Sequence, residues 1–115
     1  MSRTNGAQKT MKPAEFHILL VLAGEDLHGL GIAQAIDDAT DGVTRLGPGT
    51  LYRTLKQLVV IASIKEASAP DGEEDPRRRY YRITDAGRER VRVEAERLAR
   101  IVRAARDNAV LPEIS

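Results

Sequence analysis

The residues best equipped for chemistry in this chain lie in one stretch, "RLGPGTLYRTLKQL", from Arg45 to Leu58. It holds Arg45, Arg53 and Lys56 and no acid, in a chain whose formal net charge is only +1. Lysine and arginine neutralise phosphate, and the arginine fork also matches the edge of guanine. Thr50, Thr54, Gln57 and the Tyr52 hydroxyl add neutral hydrogen-bonding groups. These residue types recognise anions and bases; they do not make or break bonds. Nothing elsewhere supplies catalysis. There are no paired carboxylates on rigid elements, no nucleophile with an adjacent base and no phosphate-loop signature. The chain has no cysteine, which excludes a disulfide framework, a thiol nucleophile and a zinc finger. His17 and His28 have no second ligand at helical or hairpin spacing, so neither a metal nor another cofactor is expected.

The small net charge hides a segregation. Glu25 to Asp41 holds five acids and no lysine or arginine, whereas Arg45 to Arg82 holds eight bases against five acids. Those five acids all fall between Glu66 and Asp75. A near-neutral total is therefore compatible with a one-sided basic patch. The longest apolar run, Ile18 to Ala23, is far too short to span a membrane. "MSRTNGAQKTMKP" is polar and basic, and no apolar segment of signal-peptide type follows it. The expectation is a cytoplasmic protein with a flexible basic arm over residues 1–12.

The basic stretch must be positioned by neighbouring elements. Pro13 suits the first turn of a helix running to about Ala23. A second helix is expected from about Leu30 to Ala39, after a break at "GEDLHG" that leaves His28 in a turn. Gly47-Pro48-Gly49 then feeds a third helix to Ile61. At ~100° per residue, Leu51, Leu55, Leu58 and Val59 share its inner face. Thr50, Arg53 and Gln57 lie opposite, Thr54 and Lys56 flank that outer face, and Tyr52 sits on its edge. "SIKEAS" (63–68) and "RRRYYRI" (77–83) read as strands joined by the acidic turn-former loop "APDGEEDP". Thr84 suits the N-cap of a last helix, over 85–110. There Val91, Ala95, Leu98, Val102, Ala105 and Ala109 follow a 4-3-4-3-4 spacing, the seam of a coiled coil. Residues 111–115 are left as a tail.

The fold expected is mainly α with a two-stranded β wing, a winged helix-turn-helix over residues 13–84 followed by a long dimerisation helix. The third helix becomes the recognition helix. Its leucines dock inward and its basic face is free to enter a major groove.

"HGLGIAQAI", "PGTLYRTLKQL" and "RRRYYRITDAGRER", in this order and spacing, resemble the PadR family of transcriptional regulators from about Phe16 to Arg90. The resemblance implies a homodimeric, repressor-type protein that binds double-stranded DNA, with the last helix as dimer interface. Carried over by position, Thr50, Tyr52, Arg53 and Lys56 would contact DNA from the recognition helix, and Arg78 and Arg79 from the wing. Thr54 and Gln57 share that surface. Some family members bind flat aromatic effectors between the dimer helices through a tryptophan; this chain has no tryptophan. It also departs from the family at Leu30, usually aromatic. A further departure is at Val59 to Ala62, where an acid-rich end and a glycine are usual.

Several residues keep two readings at this stage. Tyr52 can pack in the core or touch phosphate. Arg77, Arg78 and Arg79 alternate along a strand, so at least one should face inward, and Tyr80 and Tyr81 cannot both be core. The last helix can pair with its own chain or with a second copy. A winged helix whose outer face, Val60 included, binds a protein instead of DNA is the alternative function.

Overall fold

The computed structural model describes residues 11–112. The basic arm is therefore largely outside the described residues, as is the end of the tail. The elements run α1 (Pro13–Leu22), β1 (Leu27–His28), α2 (Gly29–Ala39), α3 (Pro48–Val60), β2 (Ile64–Ala67), β3 (Tyr80–Ile83) and α4 (Asp85–Asp107). Ile18, Leu19 and Leu22 of α1 meet Ile32 and Ile36 of α2 and Leu51, Leu55 and Leu58 of α3 in one core. Ile64, Tyr81, Ile83 and Val91 close it from the sheet and from α4. These are the apolar faces of α2 and α3, the buried side of an α1 that is apolar nearly all round, and one sheet face, brought together by burial.

The sheet has three strands, not the two expected, in the antiparallel order β1-β3-β2. The added strand is only two residues long, pairing Leu27 with Tyr81 and His28 with Tyr80. His28 thus ends a strand rather than sitting in a turn. Its Nδ1 caps α2 by accepting from the Gly31 backbone N–H at 3.1 Å, which satisfies one of the donors a helix start leaves open.

β3 begins at Tyr80, so the arginine run precedes the strand and does not alternate across it. Arg77, Arg78 and Arg79 are all exposed, correcting the expectation that one faces inward. Both tyrosines are buried, but on opposite sides of the sheet. Tyr81 joins the core. Tyr80 lies beneath the wing loop, its ring edge-on to His28 with centroids 5.2 Å apart.

α3 ends on a tight cap. Ala62 adopts φ 61°, its N–H donates to Val59 at 3.0 Å, and the Ser63 N–H donates to Leu58 at 2.9 Å. Both bonds satisfy carbonyls at the helix end, in the arrangement that usually places glycine at this left-handed position. A side chain there costs roughly 1–2 kcal/mol, partly offset by the extra freedom glycine gains on unfolding. Ala62→Gly is therefore expected to raise Tm by about 3 °C in a thermal melt. An unchanged or lower Tm would show that the alanine is unstrained.

α4 is held at its start and free at its end. Thr84 Oγ1 accepts from the Gly87 N–H at 3.1 Å and donates to the Ala62 carbonyl at 2.6 Å. Gly87, Val91 and Glu94 are buried, and no α4 residue after Glu94 is. The radius of gyration, 16.2 Å, exceeds the ~13 Å of a compact chain of this length. The helix stops at Asp107, so Ala109 lies beyond it, at φ 63°, and does not continue the seam.

Candidate nucleic-acid interface

α3 presents its outer face as a surface without acids. Pro48 occupies the first turn, where a missing N–H costs nothing, and Leu51, Leu55 and Leu58 anchor the opposite side. Thr50, Arg53, Lys56 and Gln57 are exposed, as the helical spacing predicts. Neither Arg53 nor Lys56 has a carboxylate partner among the described residues. Both cations are thus free for another anion.

Two expected positions differ. Thr54 is buried, and its hydroxyl donates to the Thr50 carbonyl at 2.7 Å. A threonine inside a helix satisfies itself this way, so Thr54 offers nothing to a groove. Val59, placed with the leucines by the wheel, is instead 38% exposed, next to Val60 at 76% and Ile61 at 53%. Tyr52 is half-exposed and lies over Gly29; a Cβ at Gly29 would fall 2.5 Å from its hydroxyl oxygen. The hydroxyl end of the ring packs on Gly29 and the residue stays outside the core cluster, so Tyr52 lies at the edge of the outer face as the wheel predicts.

The wing begins where α3 meets the sheet. A cleft of about 420 Å³ separates Tyr52 and the start of α2 from Arg77, Arg78 and Arg79. Each of these arginines is matched by a carboxylate of its own chain. Arg77 Nε lies 3.2 Å from Asp75, Arg78 Nη1 lies 3.4 Å from Glu73, and Arg79 Nη1 lies 3.1 Å from Glu66. Glu73 is the centre of the loop. It accepts from the Tyr80 hydroxyl, from the Asp75 N–H at 2.9 Å and from Arg78. The Tyr80 bond foremost, then the Asp75 amide and Arg78, hold its carboxyl down to about 2 from the ordinary 4.5. The Arg77 N–H and guanidinium likewise keep the Asp75 carboxyl low. Further along β3, on the same face as Tyr80, Arg82 grips Asp26 through two nitrogens, at 3.1 and 2.7 Å.

The sequence reading missed these pairs, along with the His28 cap and the burial of Thr54. Two of the pairs left a trace: Asp75 and Glu73 of "DGEED" lie two and five residues before Arg77 and Arg78, whereas Glu66–Arg79 and Asp26–Arg82 join residues 13 and 56 positions apart. The described residues include no group of three side chains able to hold a metal, and no helix long and apolar enough to cross a membrane.

Three helices, a small antiparallel sheet with a wing and a long final helix match a known pattern. The profile of the "Transcriptional regulator PadR-like family" matches residues 18–93, about two-thirds of the chain. The chain belongs to this family. PadR-like proteins are transcription regulators with a DNA-binding winged helix, the fold seen here. A 37.1 kDa protein in transposon TN4556 of Streptomyces fradiae is 35% identical over 113 residues. The alignment takes in 98% of this chain but only 29% of that protein, so the chain spans under a third of its relative's length. A transcriptional regulator from Clostridium thermocellum superposes with a TM-score of 0.68 at 26% identity, over 82% of this chain and 87% of that one. Bacillus subtilis PadR in complex with operator DNA superposes with a TM-score of 0.60 at 20% identity, over 70% of this chain and 45% of that one. At that identity the likeness to PadR shows a shared fold.

Proposed function

We propose that this chain is a homodimeric, sequence-specific DNA-binding repressor. Its α3 enters the major groove with Thr50, Arg53, Lys56 and Gln57, and the hydroxyl of Tyr52 reaches phosphate at the groove edge. Arg78 and Arg79 approach the backbone from the wing. The observation that carries this is the outer face of α3, which exposes two unpaired cations and no acid. PadR bound to its operator, a protein of the same fold, supports the DNA reading; the repressor role rests on family resemblance. Two heads joined by α4 would read a pseudo-palindrome with half-sites ~34–36 Å apart. A small-molecule effector seated between the final helices would act by changing the angle between the heads.

The test is a fluorescence-anisotropy titration with random-sequence duplex across a salt series. Each phosphate contact contributes about 0.9 to the slope of log affinity against log salt. Arg53→Ala is expected to weaken binding about tenfold and to lower the slope by about one. Undiminished affinity in the variant would remove α3 from the interface.

The exposed run Val59–Val60–Ile61 favours a second reading, a winged helix that binds a protein. Absence of duplex binding at low salt would select it.

A further inference from the structure

The two halves of the basic surface are prepared differently. Arg53 and Lys56 on α3 have no ionic partner among the described residues. The three wing arginines are each already bound, to Asp75, Glu73 and Glu66. A carboxylate offers a guanidinium the same pair of acceptor oxygens as a phosphate, so these acids occupy the sites a DNA backbone would fill. Arg79 and Glu66 come from opposite sides of the hairpin, thirteen positions apart, so their pairing is a product of the fold and not of neighbouring sequence. Glu73 is held independently by the Tyr80 hydroxyl and the Asp75 amide, and stays in place if Arg78 leaves it.

We propose that Glu66, Glu73 and Asp75 stand in for phosphate at the wing and set how much the wing contributes to DNA affinity. This inference rests on the DNA-binding reading above. On DNA each arginine exchanges a carboxylate for a phosphate. The Arg79–Glu66 pair is exposed on both sides, and an exposed ion pair is weak enough for that exchange to occur; at Glu73 the carboxylate is largely buried and it is Arg78 that must leave it. A free cation meeting phosphate releases a counterion outright. A paired arginine leaves a bare carboxylate behind, which attracts a cation back from solution. The wing therefore adds little to binding on arbitrary sequence, where only charge is read. It engages where α3 has seated in its groove and holds the backbone against the arginines long enough for the exchange. The acids thus act as specificity residues: they lower the affinity for random DNA that three unmasked arginines would otherwise give.

The test is a double-mutant cycle at the most exposed pair. Glu66→Gln removes the charge and keeps the shape. Salt-series anisotropy on random-sequence duplex is measured for wild type, Glu66→Gln, Arg79→Gln and the double variant. The expected result is a gain of roughly threefold in affinity for Glu66→Gln, with a salt slope steeper by up to about 0.9, and neither change in the Arg79→Gln background. The same gain in both backgrounds would mean that Glu66 merely repels DNA, and would overturn the proposal. So would a Glu66→Gln protein indistinguishable from wild type. A wild type that binds no duplex at low salt identifies a different failure, that of the DNA reading itself, and the inference falls with it.

Discussion

Gly87→Ala is expected to destabilise the domain by about 3 kcal/mol, although Gly→Ala inside a helix ordinarily stabilises by about 1 kcal/mol. The sign is decided by space. A Cβ at Gly87 would lie 2.1 Å from the Ser63 carbonyl oxygen, 3.0 Å from its carbon and 2.9 Å from Ile83 Cγ1. The first two atoms are backbone, so no rotamer change relieves the contact. α4 must lift from Ser63, just before β2, by about an ångström. That movement strains the Thr84 N–H bond to the Ser63 carbonyl, 3.0 Å long, and the Thr84 cap on the Gly87 N–H. It also shifts Val91, one turn on, out of the core. The checks are urea denaturation and a thermal melt, with Tm expected to fall on the order of 15 °C. Gly49→Ala is the control. A Cβ at that α3 position meets nothing within 4 Å, so the same substitution should leave stability unchanged or raise it. Equal effects at the two sites would show that the close approach of α4 to Ser63 is not a constraint.

That approach illustrates what the sequence hides. Period-3.6 patterning placed α2 and α3 to within about a residue, because each buries a stripe written in its own local sequence, and Pro13 and the Gly24 break bounded the nearly all-apolar α1 as closely. The exposed face of α3 was legible for the same reason: Thr50, Arg53, Lys56 and Gln57 lie opposite leucines that must be inside. Thr54 failed because polarity was read as exposure; its hydroxyl finds a partner one turn back and needs no water. The arginine run failed for a different reason. Asp75 captures the Arg77 N–H at 2.9 Å and turns the chain, and loop chemistry of that kind overrides strand alternation. β1, two residues long, has no period to read. Tyr80 is covered by the returning wing loop, a contact settled only once the hairpin closes. The glycine at 87 gave no sign beyond its type, since the carbonyl that forbids a side chain there lies 24 positions away.

Replacing Ile101 and Val102 by aspartate is expected to leave a folded monomer that has lost at least about a hundredfold of its duplex affinity. The argument starts from α4 beyond Glu94. Ala95 to Asp107 is thirteen residues, about 20 Å of helix. Isolated helices of that length are marginal in water, so burial of an apolar face is what would hold it. Its own domain does not provide that cover. Leu98 is half-buried, whereas Ile101 is 53% and Val102 38% exposed, and beyond the helix Val110 and Leu111 are 75% and 40% exposed. Val91, expected in the seam, is spent in the chain's own core; the stripe that continues from it through Ala95, Leu98, Val102 and Ala105 is a patch that a two-fold interface could set against itself. Glu94, buried next to the stripe, is neutralised in its own chain by Arg97 at 2.6 Å, which removes the charge most likely to oppose such pairing. Ile101 and Val102 contribute little to the monomer core, so their loss should spare the urea transition of the winged-helix domain. Sedimentation equilibrium would report the mass and anisotropy the affinity. A double variant that stays dimeric would move the interface off this seam. A monomer that keeps wild-type affinity would mean that each head binds DNA alone, and the half-site spacing expected of two coupled heads would then have no basis.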